Sequence, residues 1–201
     1  MPEFIDNAGV VEQGLLTSTE YEVLKEFVAE RCLSTPADRS WLGRVILVWK
    51  PGVTYNGYWT AQFEFEAATG DILSADGTIV LNVYYLRTLE QLKKTFAHEY
   101  GHHWTLTYWA VGQNIQIWKN KLPDGYYNAR GLAPNQYTYN YDYGWGFCDK
   151  EVLAEDYRVL FSPMKTDHRM VRAPNNLAAP TKTIADFIWE LGLPSARWPL
   201  L

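Results

Sequence analysis

His98-Glu99-Tyr100-Gly101-His102 sets two imidazoles four residues apart with a carboxylate beside the first. On a helix, His98 and His102 stand one turn apart on the same face, close enough to share one Zn²⁺. Glu99 is turned about 100° from His98, which keeps it off the metal but within reach of a water held there. That is the position of a general base. The chain has four histidines in all, and two of them fall in this motif.

A catalytic zinc needs three protein ligands and one open position. His103 points about 100° away from His102, so it cannot complete the same tetrahedron from the same helix. Residues 104–112 contain no histidine, which excludes the longer three-histidine motif. His168, in a loop after Pro163 beside charged neighbours, reads as a solvated or salt-bridged side chain. Glu151 and Glu155 are the stronger candidates, because they share one face of a third predicted helix at i, i+4. One could bind the metal while the other accepts the second ring N–H of a ligating histidine and fixes its tautomer. The competing expectation is a solvated acidic face paired with Lys150 and Arg158. Asp156 is a reserve for the tautomer-fixing role.

The elements that must carry these residues are legible in outline. Thr17 and Glu20 form a capping box, and Tyr21, Leu24, Phe27 and Val28 keep helical spacing towards Pro36. Arg44 to Trp49 suits a buried strand. Trp59, Ala61, Phe63 and Phe65 alternate with polar residues, as in a half-buried strand. Thr78 to Tyr85 reads as a further strand, rich in β-branched and aromatic residues. Thr88 and Gln91 cap the helix that carries the histidine motif. From Gly112 to Phe147 the pattern turns irregular, broken by Pro123-Asp124-Gly125, Gly131 and Pro134. Asp149 then caps the glutamate helix, which ends before Pro163. Ile184, Phe187, Ile188 and Leu191 stripe a final helix. Strands precede helices, so the expected class is α+β, with a small mixed sheet, the motif helix and a C-terminal helical part in a single domain over 1–201.

His98-Glu99-Tyr100-Gly101-His102, followed by Glu151-Val152-Leu153-Ala154-Glu155-Asp156-Tyr157-Arg158, resembles the glutamate-ligand zincins (gluzincins). Within them it is similar to the family formed by the catalytic domain of anthrax lethal factor and the related bacterial Pro-Pro endopeptidases. The resemblance covers residues 88–162. It implies a zincin-like fold in which His98, His102 and Glu151 bind zinc, Glu99 is the base and Glu155 orients a ligand. It also implies a tyrosine before the third ligand that stabilises the oxyanion, and Tyr143 of Tyr143-Gly144 fits best. Thr78 to Tyr85 would then edge the cleft and pair with an extended peptide. Tyr137, Tyr139, Tyr141 and Tyr143 alternate, so an extended segment would put four rings on one side. They would form either a cover for the core or a substrate wall.

The expected function is therefore a zinc endopeptidase. The alternatives are a metal-stabilised binding or regulatory protein and a zinc hydrolase of a non-peptide amide. A net charge of −5 without basic clusters excludes nucleic acid and anionic membrane as expected partners. No apolar run is long enough to span a bilayer, and residues 1–10 lack the features of a signal peptide, so the expected compartment is the cytoplasm. A secreted protein is the expectation if a leader has been removed. Cys32 and Cys148 have no ligand spacing and read as buried thiols, with a disulfide left open.

Overall fold

A computed structural model describes residues 1–31, 41–164, 168–171 and 175–191. Four strands, β1 (Glu3–Asp6), β2 (Leu42–Val48), β3 (Gly57–Phe65) and β4 (Ile72–Asn82), form one mixed sheet. Among the described residues five α-helices accompany them: α1 (Ser18–Glu26), α2 (Leu89–Thr107), α3 (Asp124–Arg130), α4 (Asp149–Phe161) and α5 (Lys182–Leu191). The class is α+β, as the order of elements predicts. No helix among the described residues is long and apolar enough to cross a membrane.

The strand order is β1-β2-β4-β3, with β1 and β4 parallel to β2 and β3 antiparallel to β4. This corrects the assignment of Thr78 to Tyr85 as the cleft edge. Those residues belong largely to β4, which is paired on both sides, and Ile79, Leu81 and Val83 are fully buried. The edge is β3, whose half-buried alternation leaves one side of its backbone without a strand partner among the described residues. The sequence reading also lacked β1, a four-residue strand whose partner lies some forty positions away.

Helix α2 starts where the capping box predicts. The Thr88 hydroxyl accepts from the Gln91 N–H, and the Gln91 side chain accepts from the Thr88 N–H. From Thr95 to Thr107 every residue of α2 is buried, because the sheet packs on one side and α4 on the other. Apolar contacts alone do not explain that burial, since the buried set includes His98, Glu99, His102 and His103. Ionisable groups are rarely buried without partners.

Helix α4 begins at Asp149, with Cys148 in the capping position and no side-chain cap. Asp149 is therefore not the cap. Its carboxylate accepts from the Leu122 N–H at 2.8 Å and the Tyr127 hydroxyl at 3.1 Å, tying α4 to the segment before α3. Helix α3 lies inside the stretch read as irregular. Pro123 stands in its capping position, and Gly131 closes it in the left-handed region at φ 70°. Cys148 is buried and carries no disulfide; Cys32 lies outside the described residues.

Candidate metal centre

His98 and His102 of α2 and the two glutamates of α4 meet where these helices cross. Glu151 Oε2 lies 2.9 Å from His98 Nε2 and 3.2 Å from His102 Nε2. Zinc ligand atoms held at ~2.0–2.2 Å in a tetrahedron are separated by roughly 3.3 Å, so both of these contacts stand near that spacing. All three lie within 4.8 Å of one another, and all three side chains are buried. Two imidazoles and one carboxylate are a donor set suited to zinc. The residues fit the ion.

Glu155 occupies the other ring nitrogen of His98. Its Oε2 is 2.9 Å from Nδ1, a partner that would hold a proton on Nδ1 and free Nε2 for a metal. Glu155 is itself held. Arg158 donates to both of its oxygens, Nε to Oε2 at 3.0 Å and Nη2 to Oε1 at 2.7 Å, and the Arg169 backbone N–H donates to Oε1 at 3.0 Å. Arg158 and Glu155 are completely buried, so the exposed acidic face weighed above is not what forms. Asp156, the reserve candidate, serves a separate buried cluster. It accepts from Tyr126, Arg130 and His168.

Charge follows this geometry. Burial disfavours the His98 cation, but hydrogen bonds to Glu151 and Glu155 and the charge of Glu151 outweigh it and push its pKa up to about 10. Burial raises Glu151 and Glu155 too, yet the charge and hydrogen bond of His102, with those of His98, hold Glu151 below its ordinary value, and His98 and Arg158 do the same for Glu155. Glu99 makes no such bonds, and burial pushes its carboxyl up. A base with a raised pKa is better matched to neutral pH. Glu99 also has room to act because Gly57 of β3 faces it. A Cβ on Gly57 would come within 3.3 Å of Glu99 Oε1 and within 2.8 Å of Thr95.

The structure puts Tyr141, not Tyr143, beside the cluster. Tyr141 and Tyr143 are similarly exposed, at 61% and 59%, but only Tyr141 lines the cleft, and its hydroxyl donates to Glu151 Oε1 at 2.5 Å. The segment is not extended, which is why the alternation misleads. Asn140 Oδ1 accepts from the Asp142 N–H, and the Gly144 N–H bonds back to the Tyr141 carbonyl, so the chain bends there. The four rings part company: Tyr137 packs on Phe147 in the core, Tyr139 and Tyr141 line the cleft, and Tyr143 lies outside it.

Comparison with protein-family models, with curated proteins and with solved structures found no match to this chain. The site is read from its own geometry.

His103 and His168 stay outside the cluster. The Trp59 indole N–H donates to His103 Nδ1 at 3.3 Å, on the sheet side of α2. His168 accepts from the Met170 N–H at Nδ1 and so donates from Nε2 to Asp156, at 2.7 Å. It is hydrogen-bonded to that carboxylate and buried, so the solvated alternative is not what forms. Sequence reasoning missed Trp145, whose ring lies 5.9 Å from that of His98, and Arg169, which sits over the Trp145 ring at 5.7 Å. Only their aromatic and cationic types hinted at a role; no spacing rule connects them to the motif.

The whole arrangement opens into a cleft of about 950 Å³. Its floor is His98, Glu99, His102 and Glu151, one wall is β3, and the opposite wall is Tyr139, Tyr141 and Trp145.

Proposed function

We propose that this chain is a zinc-dependent endopeptidase of zincin-like build, with His98, His102 and Glu151 as ligands. The observation that carries this reading is the cluster's place on the floor of an open cleft, with Glu99 beside it and an unpaired strand edge along it. A structural metal site closes its fourth position with a protein ligand. Among the described residues the group has three members, and it faces the cleft.

Bound there, zinc would lower the pKa of a water towards 7 and polarise the substrate carbonyl. The chain's own residues account for the rest. The β3 backbone offers N–H and C=O groups to an extended peptide, which adds as a further strand and lies across the cluster. Glu99, with its raised pKa, takes the proton from the attacking water and returns it to the leaving amine. Tyr141, kept protonated by burial and by the adjacent Glu151 charge, donates its hydroxyl to the developing oxyanion. Glu155 holds His98 in the required tautomer, and Arg158 holds Glu155.

The test is a proteome-wide cleavage profile of the zinc-loaded protein against Glu99→Gln. New peptide termini are expected with the wild type alone, with equal metal content in both proteins. Wild-type termini no different from those of the variant would overturn the peptidase reading and leave the amide hydrolase and the metal-stabilised binder.

A further inference from the structure

The cleft does not end at the metal cluster, and its far end has a chemistry of its own. Phe63 and Phe65, two residues apart on β3, both contact Trp118, with ring centroids 5.2 and 6.2 Å away. All three line the cleft. Phe65 is 45% and Trp118 42% exposed, although large apolar side chains gain most when buried. Beneath them Leu106 and Ile117 are buried, so the platform rests on a packed base. Single exposed apolar residues need no explanation, but a contiguous set continuous with a cleft marks a contact surface.

The sheet register fixes how far this platform lies from the chemistry. Gly57 is abreast of Thr95 and Glu99, and Gly77, which pairs with Ala61, is in contact range of His103. The reacting position is therefore opposite the Gly57 to Ala61 part of β3. Phe63 and Phe65 lie roughly four and six residues beyond its middle, ~13 and ~20 Å at about 3.4 Å per residue. In an antiparallel pair, residues directly opposite project on the same face, close enough to touch. A peptide paired antiparallel to β3, the more stable arrangement, runs with its amino-terminal part towards Phe65.

We propose that Phe63, Phe65 and Trp118 form a subsite for an aromatic or branched aliphatic side chain, roughly four to six residues on the amino-terminal side of the cleaved bond. This rests on the peptidase reading for the position of that bond, but the contact itself does not require turnover. It makes the enzyme selective for long extended peptides carrying an upstream hydrophobic anchor. Burying one such side chain gains about 1.5–3 kcal/mol, a preference of roughly tenfold to a hundredfold over alanine.

A positional-scanning library of decapeptides tests this with two readouts. Cleavage by the zinc-loaded wild type locates the bond and gives kcat/KM; retention on immobilised Glu99→Gln reads binding without turnover. Expected are enrichment of Phe, Tyr, Trp, Leu and Ile at the fourth to sixth upstream positions, and at least tenfold faster cleavage of such members than of their alanine counterparts. Trp118→Ala should flatten both preferences, leave cleavage of peptides lacking those upstream residues within about twofold, and be rescued in part by Trp118→Phe. Cleavage without upstream preference overturns the subsite and leaves the peptidase. Trp118-dependent retention without cleavage supports the subsite and overturns the peptidase. Neither cleavage nor retention overturns both. Equal loss on long and short peptides in Trp118→Ala assigns the indole a structural role and also overturns the subsite.

Discussion

Gly101 of α2 lies against the backbone of Ala154 in α4, so closely that a Cβ on Gly101 would sit 2.6 Å from the Ala154 carbonyl oxygen and 3.0 Å from its Cα. This contact sets the helix separation at which Glu151 and Glu155 reach His98. Glycine inside the motif is thus the residue through which α2 and α4 approach each other, and the metal cluster straddles the crossing.

Gly101→Ala follows as the first prediction. In an isolated helix alanine would be favoured by about 1 kcal/mol. Here the obstacle is backbone on the facing helix, which cannot rotate away, and overpacking of this kind costs about 1–3 kcal/mol. The two helices must separate, stretching the 2.9 Å contacts of His98 with both glutamates. Lower stability in denaturant titration and easier loss of zinc to a chelator are expected together. Unchanged zinc retention would show that the crossing does not govern the cluster.

The same crossing shows what could be read in the sequence. Helix α2 announces itself by the Thr88 and Gln91 capping box, and the i, i+4 spacing of His98 with His102 and of Glu151 with Glu155 follows from helical geometry alone. Strand order does not follow from local pattern. Residues 59–65 and 78–85 both read as strands, and which one becomes the edge depends on β2 pairing with β4, a choice made between distant segments. Helix α3 was hidden because Pro123 and Gly125 resemble turn residues, although proline stands readily at a helix start. The resemblance points to Tyr143 by its place before the third ligand, whereas the turn closed by Gly144, invisible in that spacing, aims the Tyr141 ring at Glu151.

The tyrosines give the second prediction. Tyr141→Phe removes a hydroxyl that donates to Glu151 in the cleft, and as the proposed oxyanion donor its loss should cost roughly 10²- to 10³-fold in kcat. Tyr143→Phe alters an exposed ring outside the cleft and should leave kcat unchanged. Steady-state kinetics on one peptide cleaved by the wild type compares them. A larger loss in Tyr143→Phe would return the role to the later residue.

Third, the two glutamates should separate under chelator competition. Glu151→Ala deletes a ligand atom shared between both histidines. Glu155→Ala leaves the ligands in place but frees the His98 ring and strands Arg158 in the interior, where Glu155 takes two of its hydrogen bonds. Loss of such an orienting carboxylate typically weakens metal affinity about 10- to 100-fold. Glu151→Ala should therefore lose zinc at chelator concentrations that leave Glu155→Ala partly loaded. The reverse order would mean that the ligand is Glu155, one turn later.

The last prediction concerns pH. In the metal-free chain the His98 pKa is raised from 6.5 to about 10, because its bonds to Glu151 and Glu155 outweigh its burial. A raised pKa contributes stability that is full below 6.5 and is lost as pH rises through about 10. Glu151 and Glu155 are depressed, so their contribution is present above 4.5 and is lost as pH falls below it. The metal-free protein should thus be most stable between 4.5 and 6.5 and weaken steadily on the alkaline side. A metal ligand must be an unprotonated imidazole, so zinc loading below about pH 10 expels the His98 proton and replaces the cation in the same cluster. Denaturant midpoints measured from pH 6 to pH 10, with chelator and with zinc, should diverge as pH rises, the chelated sample losing stability that the loaded one keeps. Parallel curves would mean that His98 is not the proton exchanged for the metal.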